Sequence, residues 1–170
     1  MIIVCGLPGT GKTMLCKRLQ DKLNCEYISD WEIFDKNNVV IDNLQNKLEV
    51  SKNYSSLILD YINDNKDKNI VIDLEYSISP KCFADSNICE FSTIIYLGFI
   101  ETPENILFEL FSKSSSNQKY DEAQLKSKIK FYKEMSEIYF NQCRLYNLNF
   151  IDINKDRNEI INSIISNIKA

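Results

Sequence analysis

The chain has no histidine, three arginines, four glycines, three prolines and a single tryptophan. Without histidine, a Cys/His zinc site is excluded. The six cysteines (Cys5, Cys16, Cys25, Cys82, Cys89, Cys143) contain no CxxC pair. They read as small, mostly buried apolar side chains rather than as a disulfide framework. No apolar run approaches the ~20 residues that a bilayer span requires. The N-terminus lacks the basic segment and long apolar segment of a secretory signal. The expectation is a cytoplasmic protein without a membrane partner. A net charge of −4 and lysines scattered without a basic block carry no strong nucleic-acid signal. The scarcity of arginine beside abundant Asn, Ile and Lys reads as coding bias. A length of 170 residues suits one domain over 1–170.

Short apolar runs alternate with helical patterns. "IIVC" ends at a glycine-rich turn and reads as a buried parallel strand. Leu15, Leu19 and Leu23 then lie four apart on one helical face. "EYIS" (Glu26–Ser29), "NIVIDL" (Asn69–Leu74), "STIIYLGF" (Ser92–Phe99) and "NFIDI" (Asn149–Ile153) read as further strands. Between them lie helices expected from about Asp42 to Asn65, after Ser79-Pro80, after Thr102-Pro103, from Asp121 to Tyr146, and from Asn154 onward. Leu44, Leu48, Leu57, Leu59 and Ile62 are the apolar points of the first of these. The aromatics from Phe131 to Tyr146 are expected in the core, and Arg144 on the surface. Five strand-helix alternations argue for an α/β fold, a parallel sheet with helices on both faces.

Three of the four glycines fall within "GLPGTGKT", Gly6 to Thr13, which fits GxxxxGK[ST]. Glycine lets the backbone approach oxygen atoms that a Cβ would block. The loop amides and the positive end of the following helix suit a phosphate. Gly6, Leu7, Pro8, Gly9, Thr10, Gly11, Lys12, Thr13 and Met14 are therefore expected to line a nucleoside triphosphate. Lys12 is expected to reach the β- and γ-phosphates, and the Thr13 hydroxyl to ligate Mg²⁺. Asp73 closes the apolar strand "IVIDL", where a carboxylate beside the loop can hold Mg²⁺ through water. Glu75 is a weaker candidate for the same pocket.

Other phosphate-loop classes fit less well. "NKDK" and "NKDR" lack the Asp of a GTPase base reader, and no DxxG follows Asp73. An AAA-type motor needs more chain and an adjacent acidic pair after the strand, where Leu74 intervenes. The N-terminal loop, the short second strand followed by an acid, the Asp-ended third strand, "IIYLGF" followed by "TPENI", and the closing "NFIDI" resemble the P-loop kinase superfamily. That resemblance implies a three-layer fold with a five-stranded sheet in order 2-3-1-4-5. It also implies ATP with Mg²⁺ and an acceptor over the C-terminal strand ends. It assigns an acceptor-binding helical region to about 31–66 and a lid to about 112–120.

A monophosphate acceptor calls for cations, usually arginines, whereas an alcohol benefits from a carboxylate that takes its proton. Arg18, Arg144 and Arg157 leave positions 19–143 without arginine. "ISDWEIF" places Asp30 just past the second strand, with Glu32 beyond it. In hydroxyl-phosphorylating relatives an acid at this place contacts the acceptor hydroxyl, so Asp30 is the expected general base, with a helix N-cap as its competing role. Trp31 is a candidate to stack on an acceptor ring or to pack at the rim. Lys113 and Lys119 flank the lid serines, and Lys113 is taken as a phosphate contact. The expected reaction is phosphoryl transfer from ATP to a hydroxyl of a small-molecule or nucleoside-like acceptor. The alternatives are a nucleoside or deoxynucleoside monophosphate kinase and an ATP-binding switch without acceptor.

Overall fold

The computed structural model describes residues 1–36, 47–75, 78–114, 117–154 and 156–168, with side chains of the third helix from residue 54 on. The elements run β1 (Ile2–Gly6), α1 (Lys12–Leu23), β2 (Glu26–Ser29), α2 (Asp30–Lys36), α3 (Lys47–Asp64), β3 (Ile70–Leu74), α4 (Pro80–Ala84) and a 3₁₀ turn (Asn87–Glu90). They continue β4 (Thr93–Gly98), α5 (Glu104–Ser112), α6 (Glu122–Tyr146), β5 (Asn149–Asp152) and α7 (Arg157–Asn167). All four strand pairings are parallel and the sheet order is β2-β3-β1-β4-β5. The expected strand order is thus observed.

The sheet is apolar on both faces because both are covered. In β1, Ile2 and Val4 point to a core completed by Leu15 and Leu19 of α1, Leu107 of α5 and Ile161 of α7. Ile3 and Cys5 point the other way, to Ile33 of α2, Ile58 and Ile62 of α3 and Phe83 of α4. α6 serves both layers, with Leu125 and Ile129 on the first and Tyr139 and Cys143 on the second. Strand order reverses around β1, so the C-terminal end of β1 opens onto the crevice where this architecture binds ligands.

Several boundaries differ from expectation. The Thr102 hydroxyl does not cap α5; it donates to the Ile153 carbonyl at 2.8 Å, and Pro103 is the N-cap. α7 starts at Arg157, not at Asn154, because Asp156 caps it by accepting from the Asn158 and Glu159 amides. Asp121 caps α6 as expected, in a reciprocal box with Gln124. α2 is opened by Ser29 with Glu32. The Ser29 amide donates to Glu32 at 2.7 Å, and the Glu32 amide donates to the Ser29 hydroxyl at 3.4 Å. This capping box relieves Asp30 of the cap role.

Ile58 and Ile62 are buried in α3 and Leu57 and Leu59 partly so; Leu44 and the start expected at Asp42 lie outside the described residues, and Leu48 falls in α3 ahead of the described side chains. In α6, Tyr132 and Tyr139 are core, but Phe131 is exposed, because the helix lies on the outside of the sheet and only one side of it is covered. Arg144 is at the surface over the Phe140 ring. Cys5, Cys16 and Cys143 are buried, whereas Cys89 is exposed. Burial pushes the Cys143 thiol up to about 12. Among the described residues, no helix is long and apolar enough to cross a membrane.

Candidate active site

The loop after β1 is built around its own backbone. Leu7 is fully buried and anchors it. The Thr10 hydroxyl donates to the Leu7 carbonyl at 2.7 Å, and Lys12 Nζ donates to the same oxygen at 3.3 Å. A Cβ at Gly6 would collide with the backbone of Leu97 on β4. Gly11, at φ 93°, is the N-cap of α1 in the left-handed region, where a side chain would be strained. It would also meet the stem of Arg157, 2.7 Å from Cδ. No side chain caps α1 and no acid sits in its first turn. The first-turn amides of this helix are therefore left for an anion.

Parallel pairing of β2 with β3 sets Ser29 beside Asp73, so Asp30 and Asp73 emerge at the same end of the sheet. The Thr13 hydroxyl donates to Asp73 Oδ2 at 2.7 Å, and Tyr27 O–H reaches the same oxygen at 3.3 Å. Asp73 is 7% exposed, Lys12 8% and Asp30 4%. Asp30 Oδ1 accepts from the Trp31 amide at 2.8 Å. Its Oδ2 accepts from Tyr54 O–H at 2.8 Å and from the Glu75 amide at 3.0 Å. Partial burial pushes the Glu75 carboxyl above the usual carboxylate range. The negative charges of Asp30 and Asp73 add to this, and Lys12 and Lys128 oppose it.

A cavity of about 640 Å³ opens beside the loop. It is lined by Pro8 and Gly9, by Glu75, by Lys113, Ser114, Asn117 and Tyr120 of the expected lid, and by Lys128 and Arg157. Arg157 Nη1 donates to the Gly9 carbonyl at 2.9 Å. Lys128 Nζ donates to Asn117 Oδ1 at 2.9 Å and lies 4.4 Å from the centre of the Tyr120 ring.

Of the expected site residues, Thr13 and Asp73 touch, and Lys12, Asp30 and Asp73 share one electrostatic neighbourhood around Glu75. Lys113 lines the cavity, while Lys119 lies over Tyr120 at 5.3 Å and does not line it. Met14 is partly exposed in the first turn of α1. Trp31 is 57% exposed and meets Phe34 edge-on at 6.3 Å.

Tyr27, Tyr54, Lys128 and Arg157 are additions that sequence reading did not single out. Arg157 carried one usable signal, an arginine in the first turn after the last strand in a chain with three arginines. Tyr54 carried none, since its partner is 24 positions away.

The loop, the uncapped helix terminus and the parallel sheet define a P-loop domain with the kinase strand order. Residues 2–125 match the model of the AAA domain family, and the chain belongs to that family, within the P-loop kinase-like superfamily. Solved structures agree on the fold. Shikimate kinase from Bacteroides thetaiotaomicron matches with a TM-score of 0.65 at 17% identity, covering 97% of this chain and 96% of that one. Shikimate kinase from Acinetobacter baumannii in complex with shikimate matches at 0.61 and 18%, covering 99% and 94%. A gluconokinase from Sinorhizobium meliloti matches at 0.56 and 12%, covering 97% and 89%. No curated protein matches the chain.

Proposed function

We propose that this chain transfers the γ-phosphoryl group of ATP to a hydroxyl of a small-molecule or nucleoside-like acceptor. The observation that carries the reading is Asp30: a buried carboxylate, relieved of capping by Ser29 and Glu32, held in one orientation beside the phosphate loop. The loop amides and Lys12 would bind the phosphates, with Lys113, Lys128 and Arg157 as further cations in the cavity beside the loop. Asp30 would take the acceptor's proton as its oxygen bonds to the γ-phosphorus and the bond to the β–γ bridging oxygen breaks, releasing ADP.

Thr13 and Asp73 offer two converging hard oxygens, which suit Mg²⁺ shared with phosphates. That ion, when bound, would neutralise phosphate charge. The acceptor would enter along 31–66 and the lid at 112–120 would cover it, within a single domain of 1–170; residues 37–46 and 115–116 lie outside the described ones. The free cysteines, exposed Cys89 among them, fit a cytoplasmic setting.

The test is label transfer from γ-labelled ATP to a pool of small hydroxyl compounds. Asp30→Asn is expected to lose at least about a hundredfold in transfer at unchanged ATP affinity. Full turnover by that variant would sink the base assignment. The lysines of the cavity lend weight to a second reading, a nucleoside monophosphate acceptor. A steep preference for a 5′-monophosphate over its nucleoside would establish that reading. ATP hydrolysis that no metabolite stimulates would favour a switch instead.

A further inference from the structure

We infer that Tyr54 is a positioning residue for Asp30, through which the packing of α3 sets the orientation of the carboxylate. The role rests on the reading of Asp30 as proton acceptor. Two of the donors to Asp30, the Trp31 and Glu75 amides, are backbone groups fixed by the start of α2 and the end of β3. The Tyr54 hydroxyl, at 2.8 Å from Oδ2, is a side chain delivered from a different element. Its ring lies 4.6 Å from that of buried Phe34, tilted 43°.

Phe34 sits one helical turn after Asp30, so one tyrosine grips α2 twice, once by its ring and once by its hydroxyl. Two fixed amides and one movable phenol make the carboxylate's tilt a function of where α3 lies. A proton acceptor misdirected by a fraction of an ångström loses rate without losing nucleotide. The ring contact and the hydroxyl contact can be separated by mutation, because phenylalanine keeps the first and removes the second.

The experiment uses the full chain as parent, Tyr54→Phe, Asp30→Asn, the double variant and Tyr54→Leu. Turnover is read with γ-labelled ATP, both to water and to the hydroxyl-compound pool. ATP affinity is read with mant-ATP, excited by transfer from Trp31, the sole tryptophan. Tyr54→Phe is expected to lower turnover about tenfold at unchanged mant-ATP affinity, with a small drop in unfolding midpoint from the one lost hydrogen bond. In the Asp30→Asn background it is expected to change nothing further, because the two groups act as one unit.

Parental turnover by Tyr54→Phe, with loss confined to Tyr54→Leu, would show a packing role only and overturn the inference. An equal loss in the Asp30→Asn background would overturn it too, since Tyr54 would then act elsewhere. If Asp30→Asn itself turns over like the parent, the base reading falls first, which separates the two failures.

Discussion

Glu75 shows how the site taxes its own residues. Its carboxyl is raised by partial burial and by Asp30 and Asp73, so the folded chain disfavours its ionised form. Below the ordinary carboxylate range the side chain is protonated in both folded and unfolded states, and there is no penalty. As pH rises through the raised value, the folded state loses stability relative to a neutral side chain. Glu75→Gln is therefore expected to raise the melting temperature at about pH 7 to 8 and to leave it unchanged near pH 3. Melting curves without nucleotide or added metal check this. A gain confined to acid would refute the sign.

At the scale of elements, the start of α2 decides whether Asp30 can serve chemistry. Ser29 and Glu32 exchange hydrogen bonds across the first turn. Ser29→Ala is expected to cost about 1 kcal/mol of stability by urea unfolding, with turnover reduced because Asp30 becomes the nearest substitute cap. An unchanged unfolding midpoint would show the box to be decorative. The same residues explain a limit on reading by eye. "SDWE" fits the S-x-x-E capping pattern, yet an Asp inside it also looks like a cap, and side-chain direction alone distinguishes the two. The other boundary errors share this cause. Thr102 and Asn154 are good caps locally, but Thr102 is drawn to the Ile153 carbonyl and Asn154 to Glu101. Both partners lie about fifty positions away in the chain.

Across the whole molecule, the phosphate loop and the five strands were legible because their signals are local: glycine spacing in one case, short apolar runs in the other. Asp73 was legible as a strand ending, although its contact with Thr13 spans 60 positions. Tyr54 and Arg157 were not, because each is defined by a partner that only the fold supplies. The exposure of Phe131 was likewise hidden, since apolar periodicity cannot say which side of a long helix is covered.

Arg157 ties α7 to the loop, and Lys22, near the end of α1, donates to the Ile165 and Ile168 carbonyls at the far end of α7. α1 and α7 are thus fastened at both ends. Arg157→Ala is expected to weaken mant-ATP binding about tenfold, the loss of one charged hydrogen bond. Parental affinity would show that this tie is incidental.

The contact between Arg157 and Gly9 joins positions 148 residues apart. A ribosome makes the loop well before its clamp. The strands β2 to β5 are all translated between the two. The Arg157 contact with the loop can therefore form only after all five strands have been translated.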